Sequence, residues 1–170
     1  MNKILLVLII TIVFTTSIYT KESSLFILRA VYSNGLQKFS IAQNEFLCKS
    51  YGVLTLDELY QKAKDNSMCQ KSIKEFYTKN PILLTFTKSL LKQRQLYKIK
   101  FKQSRCIIYA RGQSTLSEIL LKNGLAVLKP KFNDREFVYL FKSAQSYAQK
   151  AEIGLFKNKI TSKCISELYK

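Results

Sequence analysis

No histidine occurs anywhere in this 170-residue chain. That absence removes the Ser-His-Asp and Cys-His catalytic arrangements, His-ligated zinc and imidazole acid/base chemistry. Acidic residues are scarce, 11 against 28 Lys and Arg, and none before Asp57 is an Asp. Glu22 and Glu45 are the only carboxylates upstream of it. Five Gly and two Pro among 47% apolar residues leave no linker-like stretch, so the composition argues for packed structure rather than a disordered tail. The four cysteines, Cys48, Cys69, Cys106 and Cys164, lack any CxxC spacing, which supports neither a zinc ribbon nor a thioredoxin-type redox motif. No internal repeat is visible.

Lys3 precedes an apolar or weakly polar run over residues 4–18, with no further charge before Lys21. This reads as a bacterial-type export signal occupying residues 1–20, since a full membrane span usually needs about 20 apolar residues. Thr15 and Ser17 satisfy the small-residue rule for cleavage after Ser17, and an uncleaved anchor is the alternative. The expected location is the periplasm or outside, with inner-membrane attachment if the run is kept. In such a compartment an even cysteine count predicts two disulfides. Three pairings exist, and Cys48 with Cys69 and Cys106 with Cys164 is preferred because the first two flank one segment. The remaining residues, 24–170, suit a single domain. A net charge of +17 makes polyanions natural partners. The cations are mostly Lys spread along the chain, which reads equally well as a solvated surface.

Apolar and β-favouring residues 25–32, the Asn34-Gly35 dipeptide and Phe39-Ser40-Ile41 predict a β-hairpin with a positive-φ turn. Thr55 and Glu58 have capping-box spacing ahead of a helical face of Leu56, Leu59, Tyr60 and Ala63. A second helix is expected over residues 69–77, stopped at Asn80-Pro81, and a third over 82–93. Tyr97, Ile99 and Phe101 alternate with Lys98, Lys100 and Lys102 as a half-buried strand, and residues 105–110 pair with it. Thr115 and Glu118 repeat the capping spacing before a helix that Gly124 ends in the left-handed conformation. Asn133 and Glu136 cap the last long helix, with Phe137, Leu140, Phe141, Ala144, Tyr147, Ala148 and Ala151 as its core face and Gly154 as its terminator.

Three stretches, Arg105-Cys-Ile-Ile-Tyr109, Leu116-Ser-Glu-Ile-Leu-Leu-Lys-Asn-Gly-Leu-Ala126 and Ala144-Gln-Ser-Tyr-Ala-Gln-Lys-Ala-Glu-Ile-Gly-Leu-Phe156, resemble the staphylococcal-nuclease (thermonuclease) family in order and spacing. Thr85-Phe-Thr-Lys-Ser-Leu-Leu-Lys92 and the strand at 97–101 are similar to that family's first helix and following strand. The match covers residues 82–157. Phe156 stands where the family has tryptophan. The resemblance implies an α+β fold: an OB-like five-stranded β-barrel with about three packed helices, plus a helical insertion over residues 49–80.

In that family aspartates hold Ca²⁺, a glutamate is the proposed base and two arginines stabilise the transition state, a division of labour that suits hard oxygen ligands and guanidinium forks. Here the resemblance puts Ser33-Asn34-Gly35 at the calcium turn, Ser40 at the first arginine and Cys48 at the glutamate. Glu45, at an aspartate's place, and Arg105, at the second arginine's, are the remnants of a catalytic set. One acid cannot assemble the usual calcium site, so no cofactor is expected unless nuclease activity persists. The leading expectation is a non-catalytic scaffold or binding module in an envelope machine, such as a secretion or flagellar-motor apparatus. It would meet a protein partner through the 49–80 insertion, with Leu54, Leu56, Leu59 and Tyr60 as an apolar anchor. The alternative is a calcium-dependent nuclease or nucleic-acid binder that uses Lys98, Lys100, Lys102 and Arg105.

Overall fold

The computed structural model describes residues 23–63 and 67–168. The export signal, its cleavage position and Glu22 lie outside the described residues. The fold is mixed α and β, and its main sheet has six strands in the order β3-β2-β1-β5-β6-β7, with every neighbouring pair antiparallel. Its strands are β1 (Ser24–Val31), β2 (Leu36–Ile41), β3 (Asn44–Lys49), β5 (Leu96–Lys102), β6 (Arg105–Arg111) and β7 (Ser114–Thr115). A two-stranded sheet pairs β4 (Val53–Thr55) with β8 (Ala126–Leu128). Among the described residues seven α-helices complete the fold: α1 (Leu56–Lys62), α2 (Ser67–Lys79), α3 (Pro81–Leu84), α4 (Phe86–Leu90), α5 (Leu116–Lys122), α6 (Val138–Lys150) and α7 (Lys159–Glu167).

The period-2 pattern is obeyed where β5 begins: Tyr97 and Ile99 are buried while Leu96 and Lys98 are exposed. Phe26, Leu28, Phe39 and Ile99 turn inward from adjacent strands to form one apolar face. The sheet does not close as a continuous hydrogen-bonded barrel. β3 and β6 meet only where Ser50 bridges Cys106, and the Cys48–Cys106 disulfide ties the same place, Cα to Cα 5.5 Å. The second disulfide joins Cys69 of α2 to Cys164 of α7. Two disulfides are therefore present, consistent with an exported protein, but with neither expected partner. The sequence-local argument fails because strand curvature brings Cys48 to β6, and helix packing brings the C-terminal Cys164 to α2.

The first hairpin forms, but its turn works differently from expectation. Neither Asn34 nor Gly35 has positive φ. Gly35 is needed for closeness, since a Cβ there would lie 2.4 Å from Thr55 Oγ1. Asn34 is buried and reaches across the fold: its Nδ2 donates to the Leu83 carbonyl (2.6 Å) and its Oδ1 accepts from the Thr87 N–H (2.8 Å). Those two groups would bond each other in an unbroken helix. The Asn34 amide is inserted into that ladder, so the helix expected over 82–93 is two short helices meeting at Thr85.

The segment 49–80 is built into the core. β4 pairs with β8, and Leu54, Leu56 and Leu59 are buried, with Tyr60 partly so. The apolar anchor assigned to a partner is thus mostly consumed by the domain itself. The last long helix begins at Val138, not at Asn133. Asp134 serves its entry, its carboxylate accepting from the Glu136 N–H (2.9 Å) and its carbonyl from Val138 N–H (2.8 Å). Phe141, Ala144 and Ala148 are buried, whereas Leu140 and Tyr147 are exposed and do not belong to the core face.

α5 ends as expected at Gly124 (φ 61°), with Leu125 N–H on the Leu120 carbonyl. α6 ends differently, because Glu152 (φ 50°) takes the left-handed position two residues before Gly154. Gly154 instead lies against the α5 terminus: Leu155 N–H donates to the Gly124 carbonyl (2.8 Å), and a Cβ on Gly154 would lie 2.3 Å from the Asn123 carbonyl oxygen. The two glycine turns thus form one contact.

Candidate functional site

Arg105 opens β6, paired with Lys102 across a two-residue turn, and its side chain reaches inward beneath the loop that leads into β4. There Nη1 donates to the carbonyls of Ser50 (3.0 Å) and Val53 (3.3 Å), and Nη2 donates to Glu58 Oε1 (2.7 Å). Glu58 is held in turn by the first turn of α1, where its Oε2 accepts from the Thr55 N–H (3.3 Å), as the capping spacing predicts. The pair is largely sequestered, with side-chain exposures of 16% for Arg105 and 23% for Glu58. One carboxylate both caps a helix and neutralises an arginine that fastens a loop.

A cleft of about 420 Å³ opens beside this pair, lined by Ser33, Gly35, Lys49, Lys62, Glu58 and Arg105 among others. Lys129 is close by, and burial followed by the neighbouring Arg105 charge lowers its pKa from the ordinary lysine value, against the opposing pull of Glu58. Lys49 of β3, Lys62 of α1 and Lys129, the residue after β8, therefore converge around one arginine whose own charge is already met.

The other sequence-assigned residues are dispersed. Glu45 pairs with Lys38 across the β2–β3 hairpin, a contact that raises the Lys38 pKa, and it does not line the Arg105 cleft. Ser40 is buried and accepts a hydrogen bond from Arg29 Nε (2.7 Å), so an arginine from the neighbouring strand meets the position where the resemblance would place one. Cys48 is locked in its disulfide.

Lys98 lies over the Tyr109 ring (5.2 Å), Lys100 bridges to Glu136 (3.0 Å) and Lys102 to Asp134 (2.6 Å). Tyr51, itself buried, donates its hydroxyl to the same Asp134 carboxylate (2.5 Å). Burial alone would raise the Asp134 pKa, but the hydrogen bonds from Lys102, Tyr51 and the Glu136 N–H outweigh it and hold the carboxyl below its ordinary value. The Tyr51 phenol is pushed up, first by burial and then by Asp134.

The donors at the implied calcium turn do not fit a calcium site. Ser33 and Gly35 offer a hydroxyl and backbone, Glu45 is engaged with Lys38, and Glu58 is engaged with Arg105. Among the described residues no three acidic or other metal-ligating side chains come together. Glu58 and Asp134 are the organising residues that sequence reasoning did not place at the site, whereas Asn34 was placed there as part of a turn and instead reaches across the fold to Leu83 and Thr87. Of the first two only Glu58 carried a signal, its capping spacing, and that signal pointed to a local role.

The fold and site define a disulfide-joined mixed α/β domain with a partly buried arginine clamp beside a cleft that Lys49 and Lys62 help to line. No protein-family model matches the chain, and no curated protein matches it.

Proposed function

We propose that this is an exported, non-catalytic binding module on an OB-like core of the staphylococcal-nuclease type, serving as a scaffold in an envelope assembly such as a secretion or flagellar-motor apparatus. The observation that carries the reading is the engagement of both Arg105 Nη groups within the chain itself. In a phosphate site the guanidinium would face the opening with its donors free; here it holds two carbonyls and a carboxylate of its own chain. The antiparallel order β3-β2-β1-β5-β6, with β3 curling back to β6, supports the OB-like core.

The partner would meet the exposed face of the 49–80 segment, where Met68, Lys71, Lys74 and Thr78 project from α2. Capture from envelope extracts tests this with the intact chain against a Lys71→Glu/Lys74→Glu variant, because deleting the segment would strip Leu54, Leu56 and Leu59 from the core. Recovery of the same proteins by both, or of nothing above background, sinks the reading. A plate assay for calcium-dependent DNA degradation tests the non-catalytic part, and clearing above a mock preparation overturns it.

Nucleic-acid binding is the second reading, favoured by Lys49 and Lys62 lining the same cleft as Arg105, with Lys129 near it. Its signature is a steep fall of affinity with salt that flattens when those lysines are replaced.

A further inference from the structure

An antiparallel sheet that packs one face on the core ordinarily turns polar side chains to solvent on the other. The main sheet breaks that pattern on its outer face, where β1 meets β5. Leu25 is 57% exposed and Leu96 60% exposed. Half-buried Ile27 links them, two residues from Leu25 along β1 and directly opposite Leu96 in the register. Phe26, Leu28, Tyr97 and Ile99, the alternate residues of the same strands, already fill the inner face, so the core makes no demand on the outer three. Single exposed apolar side chains are ordinary, whereas adjacent ones on neighbouring strands mark a contact surface.

The charges nearest this patch are positive. Lys98 stands opposite Leu25 and is exposed, its ammonium over the Tyr109 ring. Arg29, also exposed, reaches Ser40, the residue opposite Ile27 on β2. Strands β1, β2, β3 and β5 carry a single acidic residue, Glu45, and Lys38 neutralises it. Exposed leucines beside cations whose stems can lie along apolar surface match the boundary of an anionic bilayer, where headgroup phosphates meet acyl chains. We propose that the outer face of β1 and β5 rests on an anionic phospholipid surface. Leu25 and Leu96 enter the acyl boundary, and Lys98 and Arg29 meet headgroup phosphates.

Position in the chain favours a bilayer over a protein partner. Only residues 19–23 separate the apolar run over 4–18 from β1, a reach of about 20 Å at most. A run kept in the membrane holds this very strand at the bilayer surface, and a run removed on export leaves the face free to bind it reversibly. A nucleic acid would give the two leucines no apolar counterpart. The inference rests on the export reading and not on the scaffold reading: the α2 substitutions that test the scaffold leave this face untouched, so either can fail alone.

Every contact described above lies within residues 23–168, so the test uses the chain without residues 1–20, with thermal melts to show that each variant is folded. Sedimentation with vesicles of phosphatidylglycerol and phosphatidylethanolamine in equal parts, in about 0.15 M salt, is compared with phosphatidylcholine vesicles. Saturable binding to the anionic vesicles alone is expected. Leu25→Ser/Leu96→Ser changes no charge and should weaken it by roughly tenfold or more. Met68→Ser, which removes an exposed apolar side chain from α2, should bind like wild type. Lys98→Ala should weaken binding by about fivefold, the worth of one cation at the surface. The chain holds no tryptophan, so Leu96→Trp reports on its own position; its emission should shift to the blue on anionic vesicles while that of Met68→Trp stays unchanged. A double-serine variant that binds like wild type would leave only diffuse charge and overturn the assignment. Equal loss in Met68→Ser, a blue shift for Met68→Trp and not for Leu96→Trp, or no binding to anionic vesicles would overturn it as well. Unchanged vesicle binding by the double-serine variant, with loss of a protein captured from envelope extracts, would give the face to a protein partner instead.

Discussion

Replacing Arg105 by methionine keeps the aliphatic stem and removes the guanidinium, so it isolates what the charge contributes. Four contacts vanish: two to Glu58, at 2.7 and 3.4 Å, and two to the Ser50 and Val53 carbonyls. Breaking a fully buried ion pair from one side costs about 3 to 5 kcal/mol. Side-chain exposures of 16% and 23% admit some water to the orphaned carboxylate, which brings the expected loss to about 2 to 4 kcal/mol. For a domain of this size that lowers Tm by roughly 4 to 16 °C. Thermal denaturation of the oxidised protein reads it, and Glu58→Gln alone should cost less because its amide still accepts from Arg105. The Arg105→Met/Glu58→Gln double variant should recover part of the loss, a coupling that separates the pair from its neighbours. Any DNA affinity of Arg105→Met, measured where the protein remains folded, should stay within about twofold of wild type, the outcome expected of binding by diffuse surface charge. A large loss of DNA binding with unchanged Tm would refute the clamp and restore a phosphate-facing role.

Asp134 has a folded pKa below its ordinary value, so it stabilises the fold above the unfolded pKa of about 3.9, and that contribution disappears as the pH falls through the lower folded value. Asp134→Asn should therefore melt below wild type at neutral pH, by about 1 to 3 kcal/mol, and the gap should close below about pH 4 in a series of thermal melts. Peptide mapping without reduction should recover Cys48 linked to Cys106 and Cys69 to Cys164; loop-entropy arguments give each bridge about 4 to 5 kcal/mol for separations of 58 and 95 residues, so double-serine replacement of either pair should lower Tm sharply. Glu152→Gly should stabilise by about 1 kcal/mol, because φ is 50° there, whereas Gly124→Ala should destabilise severely, its Cβ meeting the Ile153 carbonyl oxygen at 2.4 Å. Phe141→Ala should cost about 3 to 5 kcal/mol and Leu140→Ala far less, since only the first is buried.

Features governed by a few neighbouring residues could be read from the sequence. Thr55 with Glu58, Thr115 as the cap of α5, Gly124 and the alternation of Tyr97 with Ile99 all behave as their local chemistry requires. Readings failed where a distant group overrode local preference. Nothing around Asn34 signals that its amide will break a helix some fifty residues away. Leu140 and Tyr147 keep the right spacing for the core but fall at the margin of a face only wide enough for Phe141, Ala144 and Ala148. Helical periodicity fixes which residues share a side, not how far the neighbouring element extends over it. At the site, the pairing of Arg105 with Glu58 joins a strand to a helix 47 residues earlier. The short-range capping pattern of Glu58 was visible, and its long-range partner was not.

The two covalent links interleave, since Cys69 falls inside the 48–106 loop and Cys106 inside the 69–164 loop. Any single cut of the backbone between Cys48 and Cys164 therefore lies within at least one closed loop, and the two pieces stay joined. A protease that finds an exposed connection can nick this molecule without releasing a fragment, and the nicked halves remain at each other's side to hold the native packing. Such a topology lets the domain outlast its first cleavage wherever the compartment is oxidising enough to keep both bridges closed.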